Sequence, residues 1–170
     1  MGFLDWVLGR SKRDAIKLLE NAGEMLRICI FGRLYKRYIP QLGDREAKFL
    51  AAAVFNEVVL EEPVGREASD YLVANKVRIW TEAKKLRSDP VIAEALSYLY
   101  AAQTLYDAYA TRNPFSERAR ALGARATELS ISIPNTYDIC RSADANDCIK
   151  AIASYADQFR RGYDANPPSD

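Results

Sequence analysis

One stretch constrains the fold more than any other: Pro90 to Thr111, PVIAEALSYLYAAQTLYDAYAT, which carries only two charged residues, Glu94 and Asp107. Projected at about 100° per residue, Ile92, Ala95, Leu96, Leu99, Ala102, Leu105, Tyr106 and Tyr109 fill one broad arc, with Val91 and Tyr98 at its edge. Glu94, Ser97, Gln103, Thr104, Asp107 and Thr111 share the other side. A stripe covering about half the cylinder predicts a helix packed against several neighbours at once. The rest of the chain reads as helices placed around it.

Start and stop signals divide the remainder. Residues 2–9, GFLDWVLG, form a short amphipathic segment with Phe3, Trp6 and Val7 on one face. Ser11 suits the cap of a second helix, and Ile16, Leu19, Ala22 or Gly23, Leu26, Ile30 and Leu34 recur at helical spacing down to Ile39. Pro40 is expected to end that helix at about 27 residues, roughly 40 Å. Gly23 and Gly32 each weaken it by about 1 kcal/mol relative to Ala and mark a bend or a close helix approach.

Gly43-Asp44 opens a helix to Glu61, and Pro63 and Gly65 make the next turn. Arg66 to Arg87 reads as one helix through Ala68, Tyr71 or Leu72, Asn75, Ile79, Ala83 and Leu86. Asp89-Pro90 starts the central helix, with Asp as cap and Pro at the first helical position. Asn113-Pro114 repeats the signal for a seam of Phe115, Ala119, Leu122, Ala126, Leu129 and Ile133. Asp144 caps the last helix, through Ile152 and Phe159 to Tyr163, before a polar tail. The expected fold is all-α: a single-domain bundle of six main helices of roughly 17 to 27 residues plus the short N-terminal helix. The domain limits are 1–10 for the N-terminal helix, 11–163 for the bundle and 164–170 for a disordered tail.

Composition narrows the chemistry. With 49% apolar and 28% charged residues the balance is that of a soluble globular domain, and the formal charge of +1 gives no overall pull toward nucleic acid. The chain has no histidine. That removes His-based triads, the usual general base near neutral pH, and HExxH or ExxH metal motifs. No cofactor is expected. No run reaches the roughly 20 apolar residues that a membrane span needs. The odd cysteine count (Cys29, Cys140, Cys148) and the lack of a signal peptide indicate a reducing, cytoplasmic setting. Cys140 and Cys148 flank a short polar loop but are expected to stay unpaired there.

Three constellations remain. Arg33, Lys36 and Arg37 form a basic face, with no acid between Glu24 and Asp44. Tyr35 and Tyr38 lie on the opposite side, which disfavours a nucleic-acid reading and leaves a patch for a protein partner or for self-association. Tyr100 projects into the polar side of its helix and is the expected exposed aromatic anchor. Glu57, Glu61, Glu62, Glu67 and Asp70 crowd the turn at Pro63 but lack an ordered metal-ligand spacing, so no metal site is assigned to them.

The first functional expectation is therefore a non-enzymatic protein-interaction or regulatory module. A second is a peripheral assembly protein held to the inner face of a membrane by residues 2–13, with Phe3, Trp6 and Val7 as the contact and cations behind them. A third is a metal-dependent hydrolase using the Glu57–Asp70 acids.

Overall fold

The structure is a computed structural model and describes residues 3–113, 115–133 and 145–165; for 3–12, 145–147 and 164–165 it describes the backbone alone. Among these residues the chain is all-α, with seven helices and no strand. They are α1 (Phe3–Leu42), α2 (Asp44–Val59), α3 (Arg66–Ala74), α4 (Lys76–Lys85), α5 (Pro90–Thr111), α6 (Glu117–Glu128) and α7 (Ala145–Ala165), with a 3₁₀ turn at Leu86–Ser88. None is long and apolar enough to cross a membrane.

The first two expected helices are one. α1 runs 40 residues, about 60 Å at the helical rise, straight through Gly9 and Ser11. A glycine and a serine cost a helix about 1 kcal/mol or less each, so neither has to break it. Pro40 does not stop it either. Lying in the last turn, its missing N–H costs only the bond to the Lys36 carbonyl, and the Gly43 amide closes the end on the Ile39 carbonyl at 3.0 Å.

Gly43 then takes φ +78°, a backbone region that side chains disfavour, and the chain turns back so that α2 packs on α1. α1 buries Ala15, Leu19, Ala22, Leu26, Ile30, Leu34 and Tyr38 at steps of three and four. α2 answers with Leu50, Ala51, Val54, Phe55 and Val58.

The expected helix over 66–87 is broken. Asn75 donates its side-chain amide to the Tyr71 carbonyl at 2.9 Å and leaves helical geometry at φ −122°. Asparagine competes with the helix for its own backbone in this way. α3 buries none of its residues, whereas α4 contributes Ile79 and Ala83.

α5 begins as expected: the Asp89 carboxylate accepts from the amides of Val91 and Ile92. It is also more enclosed than its pattern indicates. Leu99, Tyr100, Ala101 and Ala102 are four consecutive buried residues, and Thr104 on the nominally polar side is buried too. Ser116, rather than Asn113, caps α6 by accepting from the Ala119 amide. The helical tail extends through Asp164 and Ala165, and residues 166–170 lie outside the described ones.

The centre is shared. α5 packs on α1, α6 and α7, but α1 packs on α2, α5 and α7, so the long first helix is as much the axis as α5.

Candidate functional site

Arg33 and Lys36 sit three residues apart on α1, so their side chains rise from one face. Against that face lies α7, which brings Gln158, Phe159, Gly162 and Tyr163; Val91 from the first turn of α5 closes the end. Together they line a groove of about 290 Å³.

Gly32 lets a ring of α7 come close to α1. A Cβ at that position would lie 2.7 Å from Cζ of Tyr163, so a larger residue would have to push the outer end of that ring aside from its place against α1. The Arg33 guanidinium stands 5.9 Å from the centroid of the Phe159 ring, within cation–π range. The aromatic row continues away from the groove. Phe159 stacks on Tyr155 at 5.9 Å, and Tyr155 stacks on Tyr98 of α5 at 3.8 Å with the rings 9° from parallel. Burial, and then the nearby Glu94 carboxylate, push the Tyr155 hydroxyl well above its ordinary pKa, so it stays protonated at neutral pH.

Of the three cations expected to act together, two line this groove. Arg37 turns instead to Asp89, pairing with the carboxylate that caps α5. Lys36 is exposed, and neither it nor Arg33 is in an ion pair among the described residues.

Tyr100 is a correction. It is fully buried at 0% exposure, and its hydroxyl donates to the Val58 carbonyl of α2 at 2.6 Å. The side of α5 that carries it is covered, so it is no exposed anchor. Burial raises its pKa strongly.

Tyr100 belongs to a collar around the C-terminal end of α2. Arg118 of α6 donates to the carbonyls of Val59 at 2.8 Å and Leu60 at 2.9 Å. Arg125 donates to the Glu57 carbonyl at 3.2 Å and to the Glu57 carboxylate at 2.8 Å, with its guanidinium 5.0 Å from the Trp80 ring centroid. Cations here also meet the negative end of the helix dipole.

Four of the five acids near Pro63, Glu57, Glu61, Glu67 and Asp70, each meet a cation. Arg27 grips both oxygens of Glu61, and this hydrogen bonding holds the Glu61 carboxyl below its ordinary range against the opposing effect of burial. Glu67 meets Arg45 at 3.2 Å, and Asp70 lies 4.0 Å from Arg66. Among the described residues no three carboxylates or cysteines converge as a metal would require.

The side chains of Phe3, Trp6 and Val7, and Cys140 altogether, lie outside the described residues. Cys29 is buried on α1.

The side chains that line the α1–α7 groove are cations, rings and a carboxamide. Two cations flank aromatic faces and one carboxamide, an arrangement that suits a carboxylate. Periodicity alone missed Phe159, Gln158 and Tyr163, which reach Arg33 only through the tertiary fold. Gly32 was the one local signal of a close approach. Comparison of the chain with protein-family models, with curated proteins and with solved structures gives no match.

Proposed function

We propose that residues 11–163 form a single helical domain that acts as a non-enzymatic interaction module, holding an acidic segment of a protein partner in the α1–α7 groove. The observation that carries this reading is the pair Arg33 and Lys36, two cations on one helix face beside Phe159 and in no ion pair with a carboxylate among the described residues. A guanidinium lying near an aromatic face is held in place before the partner arrives, so less side-chain freedom is lost on binding. The sequence offers no histidine to serve as a base near neutral pH, and the groove holds no nucleophile–base pair among the described residues. A continuous core drawn from α1, α2, α4, α5, α6 and α7 supports one domain rather than two.

The test is affinity capture of the full chain from its native cell beside Arg33→Glu/Lys36→Glu, with melting temperature measured for both. The expected result is a stoichiometric partner lost in the variant at an unchanged melting temperature. A synthetic peptide copied from the partner's acidic segment should bind the wild type and weaken as salt is raised. A partner that the variant retains would refute the groove, and no partner in any fraction would refute the module.

A further inference from the structure

The charges around the α1–α7 groove are one-sided. Arg33 and Lys36 line it, and none of the described residues in its lining is acidic. Carboxylates on neighbouring turns are engaged elsewhere. Asp89, before Val91, pairs with Arg37, and Asp157, before Gln158, meets Arg161 at 2.9 Å. Glu94 lies near Tyr155 and is not part of the lining.

Two positive charges three residues apart on a helix repel each other until an anion lies between them. One carboxylate of a partner cancels one charge and leaves the other. A phosphate monoester carries about −1.5 to −2 near neutral pH and offers strong acceptor oxygens to both cations. The donors match it. A guanidinium presents its fork of N–H groups to phosphate oxygens, an ammonium acts beside it as a point charge, and the exposed Gln158 carboxamide adds a neutral donor at the rim.

The remaining lining is of the opposite kind. Phe159, Tyr163 and Val91 give the groove an apolar wall beside the cations. Its volume of about 290 Å³ lies just below the range of sites for drug-sized molecules, so it has room for one side chain rather than for a folded segment. Cations next to a ring-lined wall ask for an anion joined to a flat apolar group.

We propose that the group this groove selects is an aryl phosphate, presented by a phosphotyrosine of the partner, with the phosphate between Arg33 and Lys36 and the ring against Tyr163 and Val91. This deepens, and rests on, the reading of the groove as the site for an acidic partner segment. A carboxylate meets the same cations but leaves one charge uncancelled and the apolar wall unfilled.

NMR shift titration of the full chain, at about pH 8 where a phosphate monoester is doubly charged, compares three probes. Phenyl phosphate is the ligand analogue, phenyl sulfate has nearly its shape but a single charge, and inorganic phosphate has the charge without the ring. Phenyl phosphate should bind about fivefold tighter than phenyl sulfate, the most that one exposed ion pair adds, and tighter than inorganic phosphate. Lys36→Gln, at an exposed position, should bring the two esters to equal affinity at an unchanged melting temperature. Equal affinity in the wild type, or a preference that Lys36→Gln retains, would overturn the phosphate. Inorganic phosphate binding as tightly as phenyl phosphate would overturn the ring, and failure of both esters to bind would overturn the whole. The two readings fail separately: a captured partner that is lost in Arg33→Glu/Lys36→Glu but binds through unmodified carboxylates keeps the interaction module and rejects the phosphotyrosine.

Discussion

Replacing Tyr100 by Phe removes one oxygen and leaves the ring. In the native protein that oxygen donates at 2.6 Å to the carbonyl of Val58, in the last turn of α2, at a site with no exposed surface. Phe restores the packing but strands a buried acceptor, which costs about 1–3 kcal/mol. At the midpoint of that range, a domain of this size should melt about 4–8 °C lower. Chemical denaturation is the assay, read as a shift in midpoint at constant slope.

Tyr71→Phe supplies the control, because the Tyr71 hydroxyl is buried and meets no partner among the described residues. Its loss should leave stability unchanged or improve it slightly. The pH dependence gives a second readout. Burial raises the Tyr100 pKa above its ordinary 10, so its contribution is complete below pH 10 and is lost as the pH rises above that, when the unfolded state releases the proton first. Tyr100→Phe should therefore flatten the alkaline limb of the stability curve. A cost below about 0.5 kcal/mol, equal to that of Tyr71→Phe, would refute the claim that this hydroxyl closes the end of α2.

Gly23→Ala should stabilise by about 0.5–1 kcal/mol, since nothing obstructs the new methyl, whereas Gly32→Ala should gain less, because the outer end of the Tyr163 ring must first move aside; paired thermal melts check the order. Glu61→Gln should cost about 0.5–1 kcal/mol at neutral pH, a modest figure because both Glu61 and Arg27 are about one-third exposed. The folded carboxyl lies below its ordinary 4.5, so its contribution is present above that pH and fades as pH falls; wild type and variant should converge in acid titration. Asp89→Ala removes the cap of α5 and should cost about 1 kcal/mol, read by denaturation, with Arg37 losing its partner in the same step.

The sequence announced helices best where the chemistry is local. Asp89-Pro90 named the start of α5 because a cap and a proline act within one turn. Gly43 marked the α1–α2 turn for the same reason. Boundaries set by competition were misread: Ser11 and Pro40 looked like ends, yet each costs α1 too little to break it, while Asn75 looked like a stripe position and ended α3. Tyr100 shows the deeper limit. A helical projection records how polar a face is, and cannot record that a neighbouring helix covers it. The groove was half legible: Arg33 and Lys36 stood out as a basic face, but the rings beside them come from residues 159 and 163, far along the chain.

The collar on α2 ties distant parts of the chain into one event. The groups that close its end lie 42, 58, 59 and 68 residues further along from the carbonyls they meet. Until α5 and α6 dock, that turn has only water to satisfy it, and its closure must wait for long-range loops to form. Helix ends ordinarily fray on their own, at almost no free-energy cost. This one is held by residues that are in place only when the rest is, so its opening becomes a measure of global unfolding.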